Sequence, residues 1–249
     1  MIKLPLKSPA LMLLAVALPL AVTPVTVLAA AESTHAASPA ATHAASHAAT
    51  PAAAPVDWQA WTAGNNVADL SSLQRGARDF MNYCEGCHSL QYERYQRMAT
   101  DLKIPDAVLV ANLVPPGSSK LDYISSPMPA ADATAWFGKV PPDLSNITRY
   151  LGTNFIYQYL KTFYEDPTST THSNNLADPN VAMPDVLSDL EGVKDAVFRT
   201  VKEPDGTTEQ VFDHFVTVSP GNMTPDQFDQ FVRDTVNFLD YVGEPVQVE

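Results

Sequence analysis

The stretch NYCEGCHSL, residues 82–90, holds both cysteines of the 249-residue chain, Cys84 and Cys87, with His88 directly behind the second. A disulfide between them would close a loop too short to constrain the unfolded chain much, so it would staple a domain of this size poorly. Thiol–disulfide exchange motifs sit after a strand in a βαβ pattern, which the surrounding sequence lacks. A zinc site needs further soft ligands at close spacing, and the chain has no other cysteine. C-x-x-C-H is, however, the attachment signature of c-type haem. Each thiol can add to one vinyl group along the same macrocycle edge, and the imidazole that follows can reach the iron. Upstream, Leu73, Ala77, Phe80, Met81 and Cys84 recur at helical spacing, which predicts an amphipathic helix begun near Ser71 or Ser72 and ended by the motif. The expected cofactor is one covalently attached haem c.

A six-coordinate electron carrier needs a second strong ligand, and a methionine thioether or a histidine is the usual choice. Met81 and Met98 lie too near the motif's helix to wrap around to the opposite haem face. Met223 precedes a helix start in which Thr224 is the N-cap, Pro225 the first position and Gln227 completes a capping box. Met128 and Met183 remain, each followed by proline. In NVAMPDVL, Pro184 fixes the backbone directly after the sulfur, which makes Met183 the expected sixth ligand and Met128 the alternative.

The chain ends differ from this core. Lys3 and Lys7 precede an apolar run from about Ala10 to Leu28, and Ala29-Ala30-Ala31 supplies a small-residue cleavage site, so residues 1–31 read as an export signal. Residues 32–55 are rich in Ala, Pro, Ser and Thr, with three histidines and almost nothing to bury, and read as a disordered tether. The haem-binding domain is then 56–249. The formal net charge is −13, and −15 once Lys3 and Lys7 leave with the signal, which argues against a nucleic-acid partner and suits long-range attraction of a cationic protein.

With NYCEGCHSL, FGKVPPDLSNITRY, NVAMPDVL and the closing VNFLDYVGEP in this order, the sequence from about Trp58 to Glu249 resembles the cytochrome c1 family, the haem subunit of the cytochrome bc1 complex (ubiquinol–cytochrome c reductase). The resemblance implies that Cys84 and Cys87 bind the haem, that His88 and Met183 are its axial ligands, and that Pro141 and Pro142 pack on the macrocycle. Arg149 matches a basic position near the haem propionates; many members carry a second arginine two positions on, where this chain has Leu151. The implied partners are cytochrome b and the Rieske iron–sulfur protein of the same complex, and a soluble or membrane-bound cytochrome c as acceptor. The implied location is the periplasmic side of a bacterial inner membrane. On this reading the chain is an electron-carrier subunit of an oxidoreductase complex and makes no substrate bond itself. Family members continue into an apolar C-terminal anchor. An anchor following Glu249 in the full gene is therefore expected, or else retention of the N-terminal run. The alternatives are a free periplasmic c-type electron carrier and a haem sensor with an open iron site.

The expected fold is mainly α, a c-type cytochrome fold with inserted loops and a small β-hairpin. Beyond the haem helix, helical character is predicted near 91–100, 106–113, 154–164 and 225–242, with Phe228, Phe231, Val232, Leu239 and Val242 on one face of the last. Val197–Val201 and Val211–Val218 read as strands of a hairpin around Pro204-Asp205-Gly206.

Overall fold

The structure is a computed structural model that describes residues 56–248; the expected signal and the whole of the expected tether lie outside the described residues. In chain order the first half contains α1 (Leu70–Tyr83), β1 (Leu90–Arg94), α2 (Tyr95–Asp101), α3 (Asp106–Asn112), β2 (Tyr123–Ile124), α4 (Ala130–Phe137) and α5 (Ile147–Leu151). The second half contains α6 (Thr153–Lys161), β3 (Phe163–Glu165), β4 (Ser173–Asn175), α7 (Ser188–Glu191), β5 (Gly192–Lys202), β6 (Thr208–Pro220) and α8 (Pro225–Gly243). Among the described residues, strands occur as antiparallel pairs, β1 with β2, β3 with β4 and β5 with β6, beside a predominantly helical core.

Helix α8 starts as its sequence dictates. The Thr224 hydroxyl accepts from Gln227 N at 3.3 Å while the Gln227 side chain accepts from Thr224 N at 2.9 Å, so two otherwise unpaired amides are satisfied reciprocally. Its predicted apolar face is buried at all five positions. Each such side chain contributes about 1.5–3 kcal/mol. That face packs on α1, whose N-cap is Asp69, two to three residues earlier than the spacing of apolar residues suggests; the Asp69 carboxylate accepts from Ser72 N at 3.1 Å. The two helices approach closely at Gly76, where a β-carbon would stand 2.0 Å from the Asp234 carbonyl oxygen and 2.7 Å from the Phe238 β-carbon. Around this crossing the Phe80 and Phe238 rings lie 5.8 Å apart, and the buried Asp234 accepts from Ser72 Oγ and from two nitrogens of Arg75 at 2.6–2.9 Å.

The hairpin forms where expected and is longer, with Gly206 at φ 87° in its turn and Asp205 Oδ1 accepting from Thr207 N at 2.9 Å. The prediction of helix over 91–100 needs correction in its first half. Residues Leu90–Arg94 form β1, because Leu90 pairs with Ile124 and the amides of Gln91 and Tyr92 donate to the side chains of Asp143 and Ser145. Those acceptors lie some fifty residues away, beyond the reach of local periodicity. Among the described residues no helix is long and apolar enough to cross a membrane.

Where β1, α2 and α8 meet, the Tyr241 hydroxyl donates to Asp101 at 2.9 Å and stands 3.5 Å from Glu93, which is buried. Burial, then the neighbouring Asp101 carboxylate, push Glu93 up to about 7 against the opposing pull of Arg97. A folded-state value above the unfolded value of 4.5 means that the folded protein holds the extra proton between these limits. The stabilising contribution of this group is therefore complete below pH 4.5 and is lost as pH rises through about 7. Glu93→Gln, neutral throughout, is expected to leave the denaturation midpoint nearly unchanged at pH 4. At pH 8 it should add up to about 3 kcal/mol of stability. An equal change at both pH values would show that Glu93 does not titrate in this window.

Candidate haem site

Three segments build the site, and each is positioned by bonds its own sequence supplies. The first is the C-x-x-C-H turn. Helix α1 ends at Tyr83, and Cys84 N still donates to Phe80 O at 2.8 Å; Cys87 N and His88 N then both donate to Cys84 O, at 3.0 and 2.8 Å. The turn thus continues from the helix end as one compact unit. Ser126 buttresses it, donating from Oγ to Gly86 O at 3.0 Å and from N to Ser89 Oγ at 2.8 Å.

The second is the Pro141-Pro142-Asp143-Leu144-Ser145 block. Leu144 N donates to Ser89 O at 2.9 Å, and Asp143 accepts from Gln91 N at 2.8 Å and from Ser145 N at 3.0 Å, which stitches the block to the chain leaving the C-x-x-C-H turn. The Pro142 carbonyl lies 2.7 Å from His88 Nδ1. A carbonyl can only accept, so Nδ1 carries the proton in this contact and Nε2 keeps its lone pair for a metal. Burial pulls the His88 pKa below the ordinary value, although the Pro142 bond and the Asp143 charge oppose it, and the neutral, ligating form is favoured.

The third segment carries Met183. Helix α6 and the loop 176–185 are joined by β4, whose residues Ser173, Asn174 and Asn175 are all buried. Asn175 Nδ2 donates to Tyr159 O at 2.8 Å, while its Oδ1 accepts from Ala177 N at 2.8 Å and Asp178 N at 3.2 Å. Asn174 Oδ1 accepts from Asn180 N at 2.8 Å, and Ser173 Oγ accepts from Asp185 N at 3.1 Å. Both ends of the methionine loop are thereby pinned to the strand. Nothing in the sequence reading singled out this triplet. The available signal was three short polar residues in a row before the loop, a composition that favours side-chain-to-backbone bonding.

A cavity of about 380 Å³ opens between these segments, and its walls include Leu144, Ile147, Phe155, Ile156, Leu160, Val181 and Leu239. Cys84, Cys87, His88, Pro141, Pro142 and Met183 all line it. Arg149 is not among the lining residues; its guanidinium donates to Gly243 O at 3.3 Å and pairs with Glu244 at 3.4 Å. Met128 does not line it either, and its amide donates to Ser126 Oγ at 3.1 Å. The size falls within the roughly 300–1,000 Å³ of cofactor pockets. An imidazole nitrogen, a thioether and two thiols at one apolar cavity also match the donor set of a c-type haem. Burial, with smaller contributions from Asp79 and Cys87, pushes the Cys84 thiol up to about 12. Exchange-active thiols have the opposite displacement, which counts against a dithiol redox site.

No family model matches the chain. Comparison with known proteins finds 46% identity over 188 residues to cytochrome c1 of Allochromatium vinosum, covering 76% of this chain and 76% of that protein. A second relative, the ammonia monooxygenase gamma subunit of Nitrosomonas europaea, is 40% identical over 178 residues, covering 72% of this chain and 70% of the relative. The mitochondrial cytochrome c1 haem protein of Schizosaccharomyces pombe is 26% identical over 198 residues, or 71% and 57% of the two chains. The first of these identities extends over three quarters of both chains, and with it the chain belongs to the cytochrome c1 family.

Proposed function

We propose that the chain is the haem-carrying electron-transfer subunit of a quinol–cytochrome c reductase (bc1) complex, held at the periplasmic side of a bacterial membrane with cytochrome b and the Rieske iron–sulfur protein. The observation that carries this reading is the convergence of Cys84, Cys87, His88 and Met183 on one apolar cavity in a chain of this family. The haem, one per chain, supplies a one-electron couple. Cys84 and Cys87 would tether it through thioethers, and His88 Nε2 and Met183 Sδ would ligate its iron. Pro142 fixes the orientation of the His88 ring, and with Pro141 would pack against the macrocycle. The apolar walls exclude water, which disfavours the more highly charged oxidised form and raises the potential. Arg149 as a propionate partner rests on the resemblance, and it would have to exchange its present contacts with Gly243 and Glu244 to serve so.

The helical core with short antiparallel pairs is compatible with a c-type cytochrome fold carrying inserted loops, and we adopt that fold, with residues 1–31 as signal, 32–55 as tether and 56–249 as the haem domain. The chain accepts one electron from the Rieske protein and delivers it to a cytochrome c. Affinity purification of the full chain from its native membranes should bring down cytochrome b and the Rieske protein with quinol–cytochrome c reductase activity. Recovery of the haem protein alone, with no quinol-dependent activity, would instead support a free periplasmic carrier.

The net charge leads to a kinetic expectation. Electron transfer to a basic cytochrome c should slow steeply as ionic strength rises from ~0.01 to ~0.15 M, because the Debye length falls from ~30 to ~8 Å. Reduction by the Rieske partner should change far less, since that partner is held in the same assembly. A rate to the basic acceptor that ignores salt, or rises with it, would assign the acidic excess to solubility.

A further inference from the structure

Among the described residues, a side chain of the cavity makes a polar contact to the proposed sulfur ligand. The Tyr159 hydroxyl donates to Met183 Sδ at 3.4 Å, a normal length for an O–H···S bond. Tyr159 is fixed on three sides: its ring stacks at 24° on Phe155 with centroids 6.3 Å apart, and it meets Phe163 edge-on at 5.2 Å. Its backbone carbonyl is held by Asn175 Nδ2, the same side chain whose Oδ1 holds the amides of Ala177 and Asp178 at the start of the methionine loop. One buried asparagine therefore ties the donor's helix to the acceptor's loop, so the contact is set by the folded chain.

From this geometry we propose that Tyr159 is a positioning residue that sets the ligand strength of Met183, and through it the redox potential. The inference rests on Met183 being the sixth ligand. A thioether sulfur has two lone pairs; with one given to iron, the other is free to accept from Tyr159. That bond draws electron density from the sulfur, so the sulfur donates less to the oxidised iron, and the reduced form gains relative to the oxidised one. The phenol also orients the thioether, because a lone pair held by Tyr159 fixes the direction of the other. Asn175 acts one step further back, by keeping donor and acceptor in register.

The test is Tyr159→Phe in the full-length holoprotein, which keeps the ring stack and deletes the donor. The oxidised–reduced equilibrium should move about fivefold toward the oxidised form, a fall of about 40 mV for a one-electron couple. The sulfur-to-iron band of the oxidised spectrum should persist, and the pH at which the oxidised protein loses it should rise, since the sulfur is now the stronger donor. The same substitution in a Met183→His background should leave the potential unchanged, because no sulfur remains to be tuned. An unshifted potential in Tyr159→Phe with the band intact, or an equal shift in the Met183→His background, would overturn the inference while leaving Met183 as ligand. Absence of the band from the unsubstituted protein would overturn the ligand assignment and the inference with it. If Tyr159→Phe does not accumulate as holoprotein, proton NMR of the reduced unsubstituted protein decides. A slowly exchanging Tyr159 hydroxyl proton with a cross-relaxation peak to the Met183 methyl supports the bond, and its absence beside an assigned ligand methyl refutes it.

Discussion

Met183→Ala is expected to abolish the sulfur-to-iron band and lower the midpoint potential by about 0.2 V, a sizeable part of the ~0.8 V that axial ligands span, while the haem stays attached through Cys84 and Cys87. The two effects separate because attachment and sixth ligation come from different segments. The thiols sit on a turn continuous with α1, whereas Met183 sits on a separate loop whose amides are held mainly by the side chains of β4. Losing the thioether leaves that loop's amide bonds untouched, so the folded cavity should survive with the sixth position open to water or another weak ligand. Carbon monoxide should then bind the reduced variant. An unchanged potential with the band retained would remove Met183 from the iron, and Met128 would be the next methionine to substitute.

Gly76→Ala is expected to prevent stable folding of the haem domain. The added methyl group would lie 2.0 Å from the Asp234 carbonyl oxygen, a backbone atom inside α8 that no rotamer change can move. Relief requires the two helices to separate, and separation uncovers the Phe80–Phe238 contact and weakens the buried Asp234 pairing with Ser72 and Arg75. Overpacking alone costs about 1–3 kcal/mol. Loss of part of that network adds to it, against a total stability of about 5–15 kcal/mol. The measurement is the yield of folded holoprotein beside an Ala77→Gly control on the same helix, which deletes a methyl group instead of adding one. Wild-type yield and denaturation midpoint for Gly76→Ala would mean that α1 and α8 do not cross this closely.

The parts of this structure legible in the sequence are those written in local chemistry. The capping box at Thr224, the apolar face of α8, the turn at Pro204-Asp205-Gly206 and the C-x-x-C-H signature each depend on residues within a few positions of one another. Features specified by distant partners were not legible. Strand β1 looks helical in the sequence because its ladder partner Ile124 and its side-chain acceptors Asp143 and Ser145 enter from other segments. Gly76 carries no local mark of the helix crossing it permits. The Ser173-Asn174-Asn175 clamp is not legible because three small polar residues in sequence look like solvated loop, and only the fold shows that they are buried. Arg149 shows the reverse: its matching position suggests a role at the cavity, while its hydrogen bond and ion pair go to Gly243 and Glu244.

With the iron held on both faces by the chain, the protein would be an electron carrier and not a ligand-binding haem protein. The most direct test is the absorption spectrum of the reduced, full-length holoprotein recorded before and after saturation with carbon monoxide at neutral pH. A low-spin spectrum that carbon monoxide leaves unchanged is the expected result, with His88 and Met183 occupying both axial positions. A spectrum converted to that of a carbon monoxide adduct at low gas concentration would contradict it, and would identify an open site suited to sensing or binding small molecules.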